Sequence, residues 1–188
     1  MSLTTKMLEG YCPSCEQEEK DIKFITSLEK DLGQILTRDN KICHLTSCAF
    51  IINKTHDKVL CVFHNLLQTW ACPGGHADGV DDMLKVAKTE LTEETSLKNF
   101  KVLINEPVSV DILPIPSHYR KGEFVNTHLH LNTFYLFEAD ENEYVCKKED
   151  ENSDVKWMTF NEFTTKATEL FMKPIYAKII KKIKALDD

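Results

Sequence analysis

Three carboxylates, Glu90, Glu93 and Glu94, stand within five residues of one another in the segment PGGHADGVDDMLKVAKTELTEETSL, Pro73 to Leu97. The run from Asp81 to Glu94 contains neither proline nor glycine and reads as a helix, with Asp81 and Asp82 suited to its positive N-terminal end. At about 100° per residue, Met83, Val86, Ala87 and Leu91 form an apolar stripe, and Lys85, Lys88, Thr89 and Thr92 fall opposite. Glu90 and Glu94 lie inside that stripe and Glu93 at its edge. An acidic helix is ordinarily a solvated face. Here the geometry directs the charge inward.

An inward carboxylate stays ionised only if something offsets its desolvation, and buried charges are normally paired or bound to a metal. Spacings of three and four residues bring the side chains together on one face, where their mutual repulsion calls for a cation. An all-oxygen donor set suits a hard divalent ion, Mg²⁺ or Mn²⁺. Gly74 and Gly75, just upstream, permit tight backbone geometry that brings a carbonyl, that of Gly75 among them, towards the same ion.

The segment resembles the Nudix box of the Nudix hydrolases, whose pattern is G-x5-E-x7-R-E-U-x-E-E-x-G-U with U aliphatic. Gly75 matches the first glycine, Glu90 the acidic residue after the arginine, Leu91 the aliphatic position, Glu93 and Glu94 the paired glutamates, and Leu97 the final aliphatic. Asp81 stands where the family has Glu, Thr89 where it has Arg, and Ser96 where it has Gly. The family's Arg and early Glu form a supporting ion pair that Thr89 removes, and a Thr89 to Asp81 hydrogen bond is one way to replace part of it. Ser96 must end the helix in place of a glycine, and a left-handed conformation there costs on the order of 1 kcal/mol.

The resemblance implies a metal-dependent hydrolase that cleaves a pyrophosphate in a small nucleoside-diphosphate-linked substrate, with water as nucleophile. Glu90 and Glu94 are the expected central ligands, and Glu93 is either a further ligand or the general base. The catalytic assignment therefore rests on Glu93 and Glu94, and the metal assignment on Gly75, Glu90, Glu93 and Glu94. Glu151 is a weaker candidate for an additional carboxylate. The alternative is a Nudix-fold nucleotide-binding or sensor module with weak catalysis, suggested by Thr89 and Ser96.

Substrate recognition is less legible. In EFVNTHLHLNTFYLF, strand alternation places Asn126, His128, His130 and Asn132 on one face and Val125, Leu129 and Leu131 on the other. His128 and His130 are candidate substrate contacts, as is Arg120, which with Lys121 precedes that strand and suits a phosphate. His76 adjoins Gly75. Cys12 and Cys15 have metal or redox spacing but only two ligands, which Cys43, His44 or Cys48 would have to complete.

The elements that must position these residues are those of one domain. A chain of 188 residues suffices for a single well-formed core. Residues 16–36 carry Ile22, Ile25, Leu28, Leu32, Ile35 and Leu36 at helical spacing, giving an N-terminal helical extension over 1–41. From there, 42–188 reads as the catalytic domain: two strands around the turn NKTHD, the central helix, and strand-like runs at 101–104, 107–114 and 124–138. A last strand, DVKWMTF, precedes helices at about 160–172 and 174–186. This order points to an α/β (α+β) sandwich with a mixed sheet and helices at both ends, and agrees with the Nudix sandwich over roughly 42–172.

The formal net charge of -7 disfavours nucleic acid as a partner. No apolar run spans a bilayer, and the lysine-rich stripe Ile175, Ile179, Ile183 and Leu186 reads as a terminal helix packed on its own domain, so a cytoplasmic protein with no membrane partner is expected. Seven cysteines, scattered and odd in number, suit reduced thiols. Whether the N-terminal helix makes a homodimer is left open.

Overall fold

The computed structural model describes residues 2–120 and 122–186, so Lys121 lies outside the described residues. Two helices, α1 (Leu3–Met7) and α2 (Glu16–Leu32), precede strands β1 (Cys43–Asn53), β2 (Lys58–His64), β3 (Thr69–Ala71) and β4 (Gly74–His76), which lead into helix α3 (Met83–Thr95). There follow β5 (Phe100–Val102), β6 (Ser109–Ile115), β7 (His118–Arg120), β8 (Glu123–Val125), β9 (His128–Ala139) and β10 (Asn152–Thr159), then helices α4 (Phe160–Lys166) and α5 (Met172–Lys184).

The main sheet runs β10-β2-β1-β9-β5, with β3 on β2, β4 on β1 and β6 on β9. Its spine is the parallel pair β1 and β9, in register from Cys43 against Leu129 to Asn53 against Ala139. The other pairings are antiparallel among the described residues, which makes the sheet mixed. Both central strands are buried on both faces, and side-chain alternation divides the core in two. Leu45, Ala49 and Ile51 of β1, with Leu131 and Phe137 of β9, pack on Val86, Ala87 and Leu91 of α3. On the other face Phe50, Ile52, Phe134 and Leu136 pack on Phe163 of α4 and on Tyr176, Ile179 and Ile183 of α5. The result is the expected sandwich with a mixed sheet between helical layers.

Three local expectations differ in detail. The N-terminal helix stops at Leu32 because Gly33, at φ 73°, caps it; Ile35 then packs as irregular chain, fully buried, with its carbonyl accepting from the Leu45 N–H at 2.8 Å. In place of the expected polar loop, His118–Arg120 pairs with Glu123–Val125 in a separate β7/β8 ribbon. In α5 the buried side chains are Met172, Tyr176, Ile179, Ile180 and Ile183, whereas Leu186 lies beyond the helix and is exposed. No helix among the described residues is long and apolar enough to cross a membrane.

The N-terminal segment shares the core of the rest of the chain. Ile25 and Ile35 are fully buried in the same cluster as Leu45, Ala87 and Leu91. A buried ionic tie adds to this. Glu18 of α2 is fully inaccessible and accepts from Lys182 of α5 at 2.7 Å and from the Ser14 N–H at 2.7 Å, with Lys178 of α5 at 3.0 Å. Lys178 also holds buried Asp111 of β6 at 2.7 Å. Burial alone would raise the Glu18 pKa, but the Lys182 ammonium, the Ser14 N–H and Lys178 outweigh it and bring it down to about 2. Removing one member strands the others. Glu18→Ala is expected to cost about 3 kcal/mol in urea unfolding, the low end for a broken buried pair because Lys178 keeps Asp111. A loss below about 1 kcal/mol would show that the N-terminal segment is tied down by its apolar contacts alone.

Candidate active site

Helix α3 begins where Asp82 caps it, its carboxylate accepting from the Lys85 N–H at 3.0 Å. The apolar stripe Met83, Val86, Ala87 and Leu91 is buried, and that seat fixes the rotation of the helix. It carries Glu94 into the interior at 3% exposure, leaves Glu90 half-buried, and turns Glu93 outward with 52% of its side chain exposed. The buried stripe and the inward Glu94 match the sequence reading, whereas the helix begins at Met83 rather than Asp81 and Glu90 is only half-buried.

β4 faces these carboxylates without side chains. The Gly74 N–H donates to Glu94 Oε1 at 2.9 Å, and a Cβ on Gly75 would collide with the Glu90 carboxylate. A Cβ on Gly74 would lie 2.9 Å from Cys48 Cα and inside contact distance of its sulfur, so neither position accepts a side chain without displacement. From β10, Asn152 donates its Nδ2 to Glu94 Oε2 at 2.8 Å, while Asn152 Oδ1 is buried with no partner. Lys148 lies beside Glu93 at 3.5 Å and Glu151 at 3.0 Å, and so bridges the outer carboxylates.

Burial pushes Glu90 up to about 7, helped by the charges of Glu93 and Glu151. Burial likewise raises Glu94 to about 7 against the opposing hydrogen bonds from Gly74 and Asn152. Two desolvated carboxylates and an orphaned amide oxygen are acceptors lacking a positive partner. Their hard oxygen chemistry fits a divalent cation of the Mg²⁺ class. The trio is gathered rather than closed: among the described residues, the one group of three potential metal-ligating side chains within 4.8 Å of one another consists of histidines.

The three departures from the box have distinct outcomes. Thr89 is exposed, and Asp81 pairs with Lys6 of α1 at 2.7 Å; the N-terminal segment, and not Thr89, supplies its partner. Ser96 is the C-cap of α3 at φ 59°, ψ 8°, the left-handed geometry its position demands, with its N–H donating to the Thr92 carbonyl at 2.9 Å.

Beyond the glutamates, β1 and β9 build a polar surface on the sheet face away from α3. His130 lies opposite His44 and Asn132 opposite Thr46. His128 and Asn132 are buried, and Asn132 Oδ1 accepts from Thr46 Oγ1 at 2.8 Å while its Nδ2 has no partner. His76 joins this surface from β4, its ring centroid 4.8 Å from that of His130 and 5.0 Å from that of His44. Burial holds His76 down at about 3 and His130 at about 2, so both are neutral at physiological pH. Arg120, exposed on the β7/β8 ribbon, adds its positive field at His76 and His64. Cys12 and Cys15 join no group of three potential ligands among the described residues, and buried Cys43 packs in the α3-side core.

Sequence reasoning missed Asn152, Lys148, Arg38 and the full part of His44. Arg38 holds Asp78 through two hydrogen bonds, at 2.8 and 2.5 Å. None of the four lies in a local pattern that marks it.

A model of the NUDIX domain matches residues 44–180. Similar solved structures include an Ap4A hydrolase of C. elegans in a binary complex, at TM-score 0.57 and 16% identity over 75% of this chain and 98% of that one. The E. coli dihydroneopterin triphosphate pyrophosphohydrolase superposes at TM-score 0.55 and 13% identity over 73% and 95%. A NUDIX-family hydrolase from Clostridium perfringens gives TM-score 0.50 and 18% identity over 76% and 97%. No curated protein matches the sequence. The chain belongs to the Nudix family.

Two outcomes are expected. Because folding raises the pKa of Glu90 and Glu94 from 4.5 to about 7, the metal-free folded chain holds protons the unfolded chain releases, and stability is lost as pH rises through that window. With EDTA present, Tm is expected to fall as pH is raised across that interval, and Glu94→Gln to flatten the slope; a rising Tm would contradict the burial described. Ser96→Gly relieves the left-handed strain and is expected to stabilise the chain by about 1 kcal/mol in urea unfolding, whereas a destabilisation would show a role for the Ser96 side chain.

Proposed function

We propose that the chain hydrolyses a pyrophosphate bond in a small nucleoside-diphosphate-linked substrate, with Mg²⁺ or Mn²⁺ as cofactor and Glu90 and Glu94 as its principal protein ligands. The observation that carries this reading is the convergence of two near-neutral, desolvated carboxylates and the unpartnered Asn152 Oδ1 behind a wall of glycine backbone. Such an ion, when bound, neutralises phosphate oxygens and lowers the pKa of a coordinated water.

The chain's own groups divide the remaining work. Gly74 and Asn152 orient Glu94 through both of its oxygens, fixing its direction before substrate arrives. Glu93, at the solvent edge, is placed to take the water proton or to add a ligand, and Glu151 stands beyond it across Lys148. Absence of side chains at Gly74 and Gly75 lets the Glu90 carboxylate and Cys48 pack directly against the β4 backbone. Asn132 on the polar face, beside His128 and His130, and Arg120 exposed on the β7/β8 ribbon are the groups available to contact substrate. The orphaned Asn132 Nδ2 supports this, since it offers a donor with no acceptor in the chain. The printed names of two neighbours, hydrolases of Ap4A and of dihydroneopterin triphosphate, make nucleotide-like polyphosphates the first compounds to test.

Incubation with Mg²⁺ and a panel of nucleoside triphosphates, dinucleoside polyphosphates, sugar nucleotides, ADP-ribose and coenzyme A is expected to yield phosphate-containing products. Glu94→Gln should lose more activity than the roughly 10–100-fold typical of an outer partner, and Asn152→Ala a loss within that range. Full activity in Glu94→Gln would remove the helix from the mechanism. Tight Mg²⁺ binding without turnover of any panel member would favour a binding module.

A further inference from the structure

Successive residues of β4 face opposite sides of the sheet, so Gly75 lies against Glu90 while His76 meets a second cluster of different chemistry. Four imidazoles crowd there, with ring centroids 4.9 Å apart for His44 and His128, 5.1 Å for His44 and His130, and 5.1 Å for His128 and His130. One ligand nitrogen from each of His44, His76 and His130 can be chosen so that all three lie within 4.8 Å of one another. His44 is 5% exposed, and its Nδ1 faces the Asn40 carbonyl at 3.1 Å. A carbonyl only accepts, so the neutral ring carries its proton on Nδ1 and leaves a lone pair on Nε2. That Nε2 is buried and has no partner. An unpartnered buried polar atom costs stability that an aliphatic residue in its place would keep.

His128 repeats the arrangement. Its Nδ1 faces the Asn126 carbonyl at 2.8 Å, which sends its Nε2 lone pair towards His130 Nε2, 3.2 Å away. The two nitrogens share a proton donated by His130. Tetrahedral coordination with metal–nitrogen bonds of about 2.0–2.1 Å sets neighbouring nitrogens roughly 3.3–3.4 Å apart. The His128–His130 separation already matches that bite, and the wider group closes by shifts on the order of 1 Å. Imidazole ligands oriented through Nδ1–H to backbone carbonyls are the usual supporting arrangement of a histidine metal site.

We propose that His44, His76 and His130 form a binding site for a transition-metal ion of borderline softness, Zn²⁺, separate from the oxygen-ligand site on α3. When the neutral His130 ring shifts its proton from Nε2 to Nδ1, the Nε2 lone pairs of both His130 and His128 are freed, and His128 stands ready as a fourth ligand. His76 and His130 are only half-buried, so the ion has a route in. The two sites select by donor type: neutral imidazole nitrogens favour Zn²⁺, whereas carboxylate oxygens favour Mg²⁺. Excess Mg²⁺ should therefore occupy the carboxylates without displacing Zn²⁺ from the histidines.

The test is metal content of the full chain, stripped with chelator, reloaded with Zn²⁺ in excess Mg²⁺ and desalted. About one zinc per chain is expected, and Co²⁺ loading should give the visible absorption of nitrogen-coordinated cobalt. His130→Ala and the half-buried His76→Ala should each weaken Zn²⁺ binding at least about a hundredfold, beyond the loss of an outer partner, with circular dichroism confirming that each remains folded. Glu90→Gln and a Cys12→Ser, Cys15→Ser double variant should retain the zinc. The proposal is overturned if no zinc survives desalting, if both histidine variants bind it undiminished, or if the cysteine variant loses it. Because the readout is bound metal, it stands whether or not a substrate has been found.

Discussion

The arrangement of this molecule depends on keeping two carboxylates on the inward face of one helix. Burying Met83, Val86, Ala87 and Leu91 stabilises α3 by about 1.5–3 kcal/mol for each large side chain. Those contacts determine where Glu90 and Glu94 point. The acids go where their own hydration would not take them, and near-neutral pKa values record that opposition. Everything nearby answers the same constraint: backbone without Cβ at Gly74 and Gly75, an amide from Asn152, and a lysine confined to the outer rim where it reaches Glu93 and Glu151.

The N-terminal segment belongs to this arrangement more closely than its place outside the matched 44–180 region suggests. Lys6 takes Asp81, Arg38 grips Asp78, and Glu18 locks α2 to α5. The first two pairs are solvent-exposed and contribute about 0–1 kcal/mol each. Their importance is geometric, since they flank the loop between β4 and α3. The buried Glu18 group is of another kind, because its charges have little water to fall back on.

Much of this was legible in the sequence because it is periodic and local. Rotating α3 at helical pitch placed Glu94 inside and Glu93 at the edge of the stripe, and alternation in β9 put His128, His130 and Asn132 on one face. Ser96 announced its left-handed backbone by standing where the pattern has a glycine. What escaped was tertiary. His44 pairs with His130 across 86 positions by strand register, His76 arrives on a three-residue strand, and Asn152 reaches Glu94 from the far edge of the sheet. Lys6 replaced the expected Thr89 contact for the same reason: a partner 75 residues away has no signature in the helix it serves.

The parallel pairing of β1 with β9 has a kinetic meaning. Its eleven matched positions join segments 86 residues apart, so the spine of the sheet forms only after a long loop has closed. Folds dominated by such non-local pairings fold slowly, and local helices such as α3 can form well before them. His44 and His130 belong to stretches of chain that only this pairing joins, so the polar face exists only where β1 and β9 are held in register.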